Sequence, residues 1–166
     1  RSARLRLTTY NWTCGVPSRE GGAGMANREA RSVAAGNSYL VELESGGHHW
    51  TLDEPPAGGG TDAGPTPVQA VLGALLGCLT VSFQFQARRR RVPIDRVEGW
   101  VAANDKKWVE QVAVELQVWT SAAEDDVRAL LAPAERGCFV SNMLRPDLEF
   151  TVDIVVHPCE PTPMPV

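Results

Sequence analysis

The chain has 166 residues, 43% of them hydrophobic and 22% charged, which suits one globular domain with a real core and excludes two comfortable ones. Its net charge of −4 excludes the basic balance that normally accompanies nucleic-acid binding. Arg1, Arg4 and Arg6 are followed by no apolar run of a secretory signal, and the longest apolar stretch, Ala70 to Phe85, is interrupted by Gly73, Gly77, Thr80, Ser82 and Gln84, short of the roughly 18 residues of a membrane span.

A soluble, cytoplasmic protein with no membrane partner is therefore expected. In a reducing compartment the four cysteines, Cys14, Cys78, Cys138 and Cys159, are read as inert core or as redox-active, since none forms a C-x-x-C pair.

The first 65 residues read as strands and loops. Arg4 to Trp12 alternates with a period of two, and a glycine-rich loop follows through Gly21, Gly22 and Gly24. Tyr39–Glu44 and His49–Asp53, separated by Ser45-Gly46-Gly47, predict a β-hairpin. Pro55-Pro56 and the glycines to Gly64 predict a loop. A helix is then predicted over 66–91: Thr66 caps it, Pro67 takes the first position, Gln69 completes a capping box, and Pro93 ends it. Its apolar residues cover nearly the whole circumference, which predicts burial on all sides.

A hairpin is predicted over 94–120, turning at Asn104-Asp105-Lys106-Lys107, with Val112, Val114, Leu116 and Val118 on one face of its second strand. Ser121 to Glu124 resembles a second capping box, opening a helix over Ala122 to Ala132 that Pro133 interrupts, within a segment 121–140 that ends past Cys138. A last strand is predicted over 147–157. The order predicts a single α+β domain with mostly antiparallel pairing.

Other motifs have plain readings. Arg88 to Arg91 complement the negative end of the helix dipole. His48 and His49, adjacent on a strand, point to opposite faces. His157-Pro158-Cys159 lacks a second ligand pair at metal spacing. No metal and no bound cofactor are expected.

Two segments carry a resemblance. GPTPVQAVLGALLGCLTVSFQFQARRRRVPID is similar to the central helix of the OsmC/Ohr family, the osmotically inducible and organic hydroperoxide resistance proteins. AERGCFVSNMLRPDLEF resembles the family's second signature, a cysteine followed by -x-V-S-N-x-L-R-. The resemblance implies sheets wrapped around a buried helix in an intertwined homodimer. It also implies a thiol-dependent peroxidase for organic hydroperoxides, re-reduced by a small or protein dithiol. Cys78 takes the place of the peroxidatic cysteine and Cys138 that of the resolving one.

In the family an arginine holds the thiolate and a helix carboxylate orients the arginine. Here Val68 and Gln69 stand at the carboxylate's positions, and Arg28 and Arg31 are the nearest candidates for the arginine. Gln69 can accept a hydrogen bond but supplies no charge. The alternative expectation is a non-catalytic dimer of the same fold that binds an apolar small molecule.

Overall fold

The helix α1, Pro67–Arg90, organises the fold, and its start is the one the sequence predicts. The Thr66 hydroxyl accepts the Gln69 N–H at 3.3 Å, and the Gln69 side-chain oxygen accepts the Thr66 N–H at 2.8 Å. It ends at Arg91, a non-glycine residue in left-handed conformation (φ 58°) whose N–H reaches the carbonyls of Ala87 and Arg88. This computed structural model describes residues 29–104 and 109–159. The expected strand Arg4 to Trp12, Cys14, Arg28 and most of the turn after Asn104 lie outside the described residues.

Before α1, three strands form a small antiparallel sheet: β1 (Arg31–Ala34), β2 (Val41–Ser45) and β3 (His48–Leu52), in that order. The β2–β3 hairpin is the predicted one. The strand β1 is not: Arg31 was expected in a loop, and it opens a strand paired with Glu44 across the ladder. The four residues RSVA are all exposed, so no hydrophobic alternation marks them.

Between β3 and α1 the chain folds around Asp53, which is almost completely buried. Its carboxylate accepts the amides of Glu54 (2.8 Å), Thr61 (2.9 Å) and Ala63 (3.3 Å) and the Thr61 hydroxyl (2.6 Å). Gly60 is needed here because a Cβ would stand 1.8 Å from the Glu54 carbonyl oxygen. The Thr61 side chain, assisted by the three amides and opposed by burial, pulls the Asp53 carboxyl from 3.8 to about 2.

A group whose pKa is depressed in the folded state stabilises it above the unfolded pKa and loses that contribution as the pH falls through the folded one. Thermal melts of wild type and Asp53→Asn should therefore differ by several degrees at pH 7, with the gap closing between about pH 4 and pH 2. A gap that is the same at pH 2 and pH 7 would contradict this.

The second sheet carries the core. It runs β4 (Arg96–Ala103), β5 (Gln111–Thr120), β6 (Glu149–Pro158), with β5 central. Val112, Val114, Leu116 and Val118 of β5 face α1, whose Leu75, Leu79, Phe83 and Ala87, spaced four apart, form the buried row. Three of the four strand pairings are antiparallel, but β5 and β6 pair in parallel, from Gln111↔Glu149 to Thr120↔Pro158. This is the mostly antiparallel pairing expected, with β5–β6 as the one parallel pair among the described strands. A parallel pair needs a crossover, and the helical segment between β5 and β6 supplies it.

That crossover holds two short helices, α2 (Glu124–Arg128) and α3 (Leu131–Gly137), in place of one over Ala122 to Ala132. The Ser121–Glu124 capping box does not form; Ala123 stands at the cap, and the Ala122 amide donates to the Thr120 hydroxyl at 2.9 Å. Pro133 breaks nothing. It sits in the first turn of α3, where its missing N–H has no intrahelical partner to lose.

The sheet and the α2–α3 segment cover only part of α1. Within the chain its second face is open, with Val68, Val71, Val81 and Phe85 between 54% and 66% exposed. An 18-residue window of α1 has a mean hydropathy of 1.7, which by length and composition alone suits a membrane span and equally the core helix of a globular domain. The Leu75–Leu79–Phe83 row is instead packed on the sheet.

Candidate thiol site

Cys78 lies midway along α1, half-buried at the edge of the core. Residues four apart share a helix face, so Cys78 heads a row with Ser82, Gln86 and Arg90. Every later member of that row reaches the α2–α3 segment. The Ser82 hydroxyl donates to the Ala134 carbonyl at 2.8 Å, Gln86 Nε2 to the Pro133 carbonyl at 3.4 Å, and the Arg90 guanidinium to the Ala129 carbonyl at 2.9 Å. A Cβ on Gly137 would stand 2.9 Å from Ser82 Oγ, so glycine allows this close approach of α3.

Cys138, the next residue, caps α3 in extended conformation and is fully buried. The -V-S-N- that follows wraps around it. The Ser141 amide reaches Cys138 Sγ at 3.5 Å, the Ser141 hydroxyl and the Asn142 amide donate to the Cys138 carbonyl at 3.0 and 3.2 Å, and Asn142 Nδ2 donates to the Arg136 carbonyl. The second motif is thus a holder for a buried thiol. Both cysteines are free thiols.

The other expected site residues are placed elsewhere. Arg31 is exposed on β1, in the other sheet, and among the described residues it has no ion pair. Gln69 stands in the first turn of α1, where its side-chain oxygen accepts the Thr66 amide and keeps a second lone pair uncommitted. Arg28 lies outside the described residues.

Ser82 and Gln86 are the residues that sequence reasoning missed. The signal was present as a polar row within an apolar helix, hidden because the helix was read by its overall hydrophobicity. Near the start of α1 a cavity of about 330 Å3 is lined by Val71, Leu72, Leu75, Leu144 and Leu148, with Arg145 as its charged residue. It is apolar with a single cation. Among the described residues no cluster of side chains is arranged to hold a metal ion.

Residues 59–153 match the family model described as OsmC-like protein. The fold is shared with an OsmC-like protein from Mycoplasma pneumoniae (TM-score 0.69, 15% identity, 81% of this chain and 99% of that one). It is also shared with an OsmC organic hydroperoxide resistance protein from Legionella pneumophila (0.58, 17%, 79% and 98%). A third similar structure is the organic hydroperoxide resistance protein OhrB of Bacillus subtilis (0.55, 18%, 77% and 97%). No curated protein matches the chain in sequence.

Proposed function

The chain belongs to the OsmC-like protein family, and on that footing we propose that it is a cytoplasmic, homodimeric thiol peroxidase that reduces organic hydroperoxides through Cys78 and Cys138. The observation that carries the reading is the polar row of α1. Three successive members bind the segment ending at Cys138, and Cys78 is the next member one turn earlier.

In this reading the Cys78 thiolate attacks one peroxide oxygen, the O–O bond breaks, and the other oxygen leaves with a proton as the alcohol. Cys78 becomes a sulfenic acid. The Cys138 thiol condenses with it, releasing water and forming a disulfide, which a small or protein dithiol reduces. The open face of α1 supports the dimer, because Val71, Val81 and Phe85 leave a continuous apolar surface beside Gly73 and Gly77, whose Cβ positions are empty.

Activation of the thiol is where this chain differs from its family. A cation beside a cysteine raises its thiolate content, and α1 carries no acidic residue to orient one. Cumene hydroperoxide consumption with a dithiol should therefore be slow at pH 7. Gln69→Glu should speed it several-fold at pH 7, with Arg28 or Arg31 as the residue oriented. A wild-type rate that is already fast at pH 7, or a Gln69→Glu variant no faster than wild type, would contradict this.

A second reading has its own observation. The apolar cavity beside α1 with its single cation, together with the engaged Gln69 oxygen, suits a non-catalytic dimer that binds an apolar small molecule. No turnover in either variant, with a ligand in the cavity, would decide for it.

A further inference from the structure

Ser82, one turn after Cys78, is a buried polar residue of α1, and Gly137 immediately precedes Cys138. The two meet where α1 and the α2–α3 segment run antiparallel. Along α1 the donors rise from Ser82 through Gln86 to Arg90, while their acceptors fall from Ala134 through Pro133 to Ala129.

Gly137 is not required by its backbone. It lies inside α3 without a positive φ, and in such a place alanine is the better helix former. What requires glycine is space, because a Cβ would stand 2.9 Å from Ser82 Oγ. Ser82 cannot step aside without loss, since its buried hydroxyl donates to the Ala134 carbonyl at 2.8 Å.

We propose that the Ser82–Gly137 contact is the register pin of the two thiols: it fixes how closely the end of α3 approaches α1, which makes Ser82 and Gly137 positioning residues for a disulfide between Cys78 and Cys138. That these cysteines form one redox pair rests on the peroxidase reading.

Disulfide geometry makes such a pin matter. The two Cα atoms must lie about 4.4–6.8 Å apart, with the sulfurs at a defined dihedral angle. Alanine at position 137 has to open the contact from 2.9 Å by about 0.5 Å or more before ordinary packing is reached. The next residue is Cys138, so the displacement passes straight to the residue that carries the thiol. A misplacement of about 1 Å slows an oriented reaction by about a hundredfold, and half of that should cost about tenfold.

The test uses diamide, which takes up two electrons and two protons as two thiols join, so it does not depend on how Cys78 meets a hydroperoxide. The reduced full chain, Gly137→Ala and the double variant Ser82→Ala/Gly137→Ala are treated, free thiols are blocked, and the Cys78–Cys138 disulfide is followed by mass spectrometry. Gly137→Ala should form it about tenfold more slowly than wild type. The double variant lacks the clashing oxygen and should recover most of the rate. Iodoacetamide labelling of the buried Cys138, run in parallel, separates position from loosening and should be as slow in Gly137→Ala as in wild type. An unchanged disulfide rate in Gly137→Ala, no recovery in the double variant, rapid labelling of Cys138, or a wild type that forms no Cys78–Cys138 disulfide would each overturn the proposal. A wild type that joins the two thiols with diamide but not with cumene hydroperoxide would sink the peroxidase reading and leave the register pin standing.

Discussion

Replacing Cys78 with serine should abolish organic hydroperoxide reduction, leaving only the uncatalysed background. Serine keeps the size and helix fit of the side chain, but its hydroxyl is neither ionised near neutral pH nor able to take up the peroxide oxygen as a stable sulfenic acid. Replacing Cys138 with alanine separates the second role from the first. That variant should still reduce about one equivalent of peroxide per Cys78, and the Cys78 sulfenic acid, with no buried thiol to condense with, should be trapped by dimedone. If Cys78→Ser keeps its turnover, Cys78 is a core residue of the central helix and another thiol does the chemistry. Cys78 is half-buried at the edge of the core and Cys138 is fully buried, so circular dichroism on both variants checks that each still folds.

The largest effect on stability should come from Phe83→Ala. Phe83 is fully buried in the α1 row that seals the sheet, and removing its ring leaves a cavity that costs about 3–5 kcal/mol. Phe85, two residues on, points the other way and is 60% exposed. Phe85→Ala should leave the fold of the chain nearly unchanged and weaken the proposed dimer, so its effect should grow on dilution. Urea unfolding and light scattering, run on both variants over a range of protein concentration, distinguish the two. A loss under about 1 kcal/mol for Phe83→Ala would mean that the core is anchored elsewhere.

The contrast between these two phenylalanines shows what could be read from the sequence. Thr66, Pro67 and Gln69 gave the start of α1, and alternation gave the inner face of β5, because caps and period-two patterns are local. The partition of α1 into a sheet face, an α3 face and an open face was not legible. The sheet face and the open face are both rich in apolar residues, and only the polar spacing of Ser82, Gln86 and Arg90 marks the third. Strand direction was hidden for a similar reason: a strand with one buried face alternates in the same way whether its neighbour is parallel or antiparallel.

At the site, both cysteines were legible through the two motifs that carry them. What the second motif does was not, since the wrapping of Cys138 by Ser141 and Asn142 depends on where α3 ends. Gln69 is read as cap and candidate together, and the capping bond forms as expected. The loop after β3 was read correctly as a loop, but nothing in DEPP announces that Asp53 is the acceptor for four donors within it.

The central claim is that Cys78 and Cys138 form one redox pair. Treating the reduced wild-type chain with one equivalent of cumene hydroperoxide, blocking free thiols and mapping disulfides by mass spectrometry tests it most directly. The account predicts a Cys78–Cys138 disulfide as the main product, with Cys159 recovered as a blocked thiol. A disulfide through Cys14 or Cys159, or a Cys78 that stays reduced while peroxide remains, would contradict it.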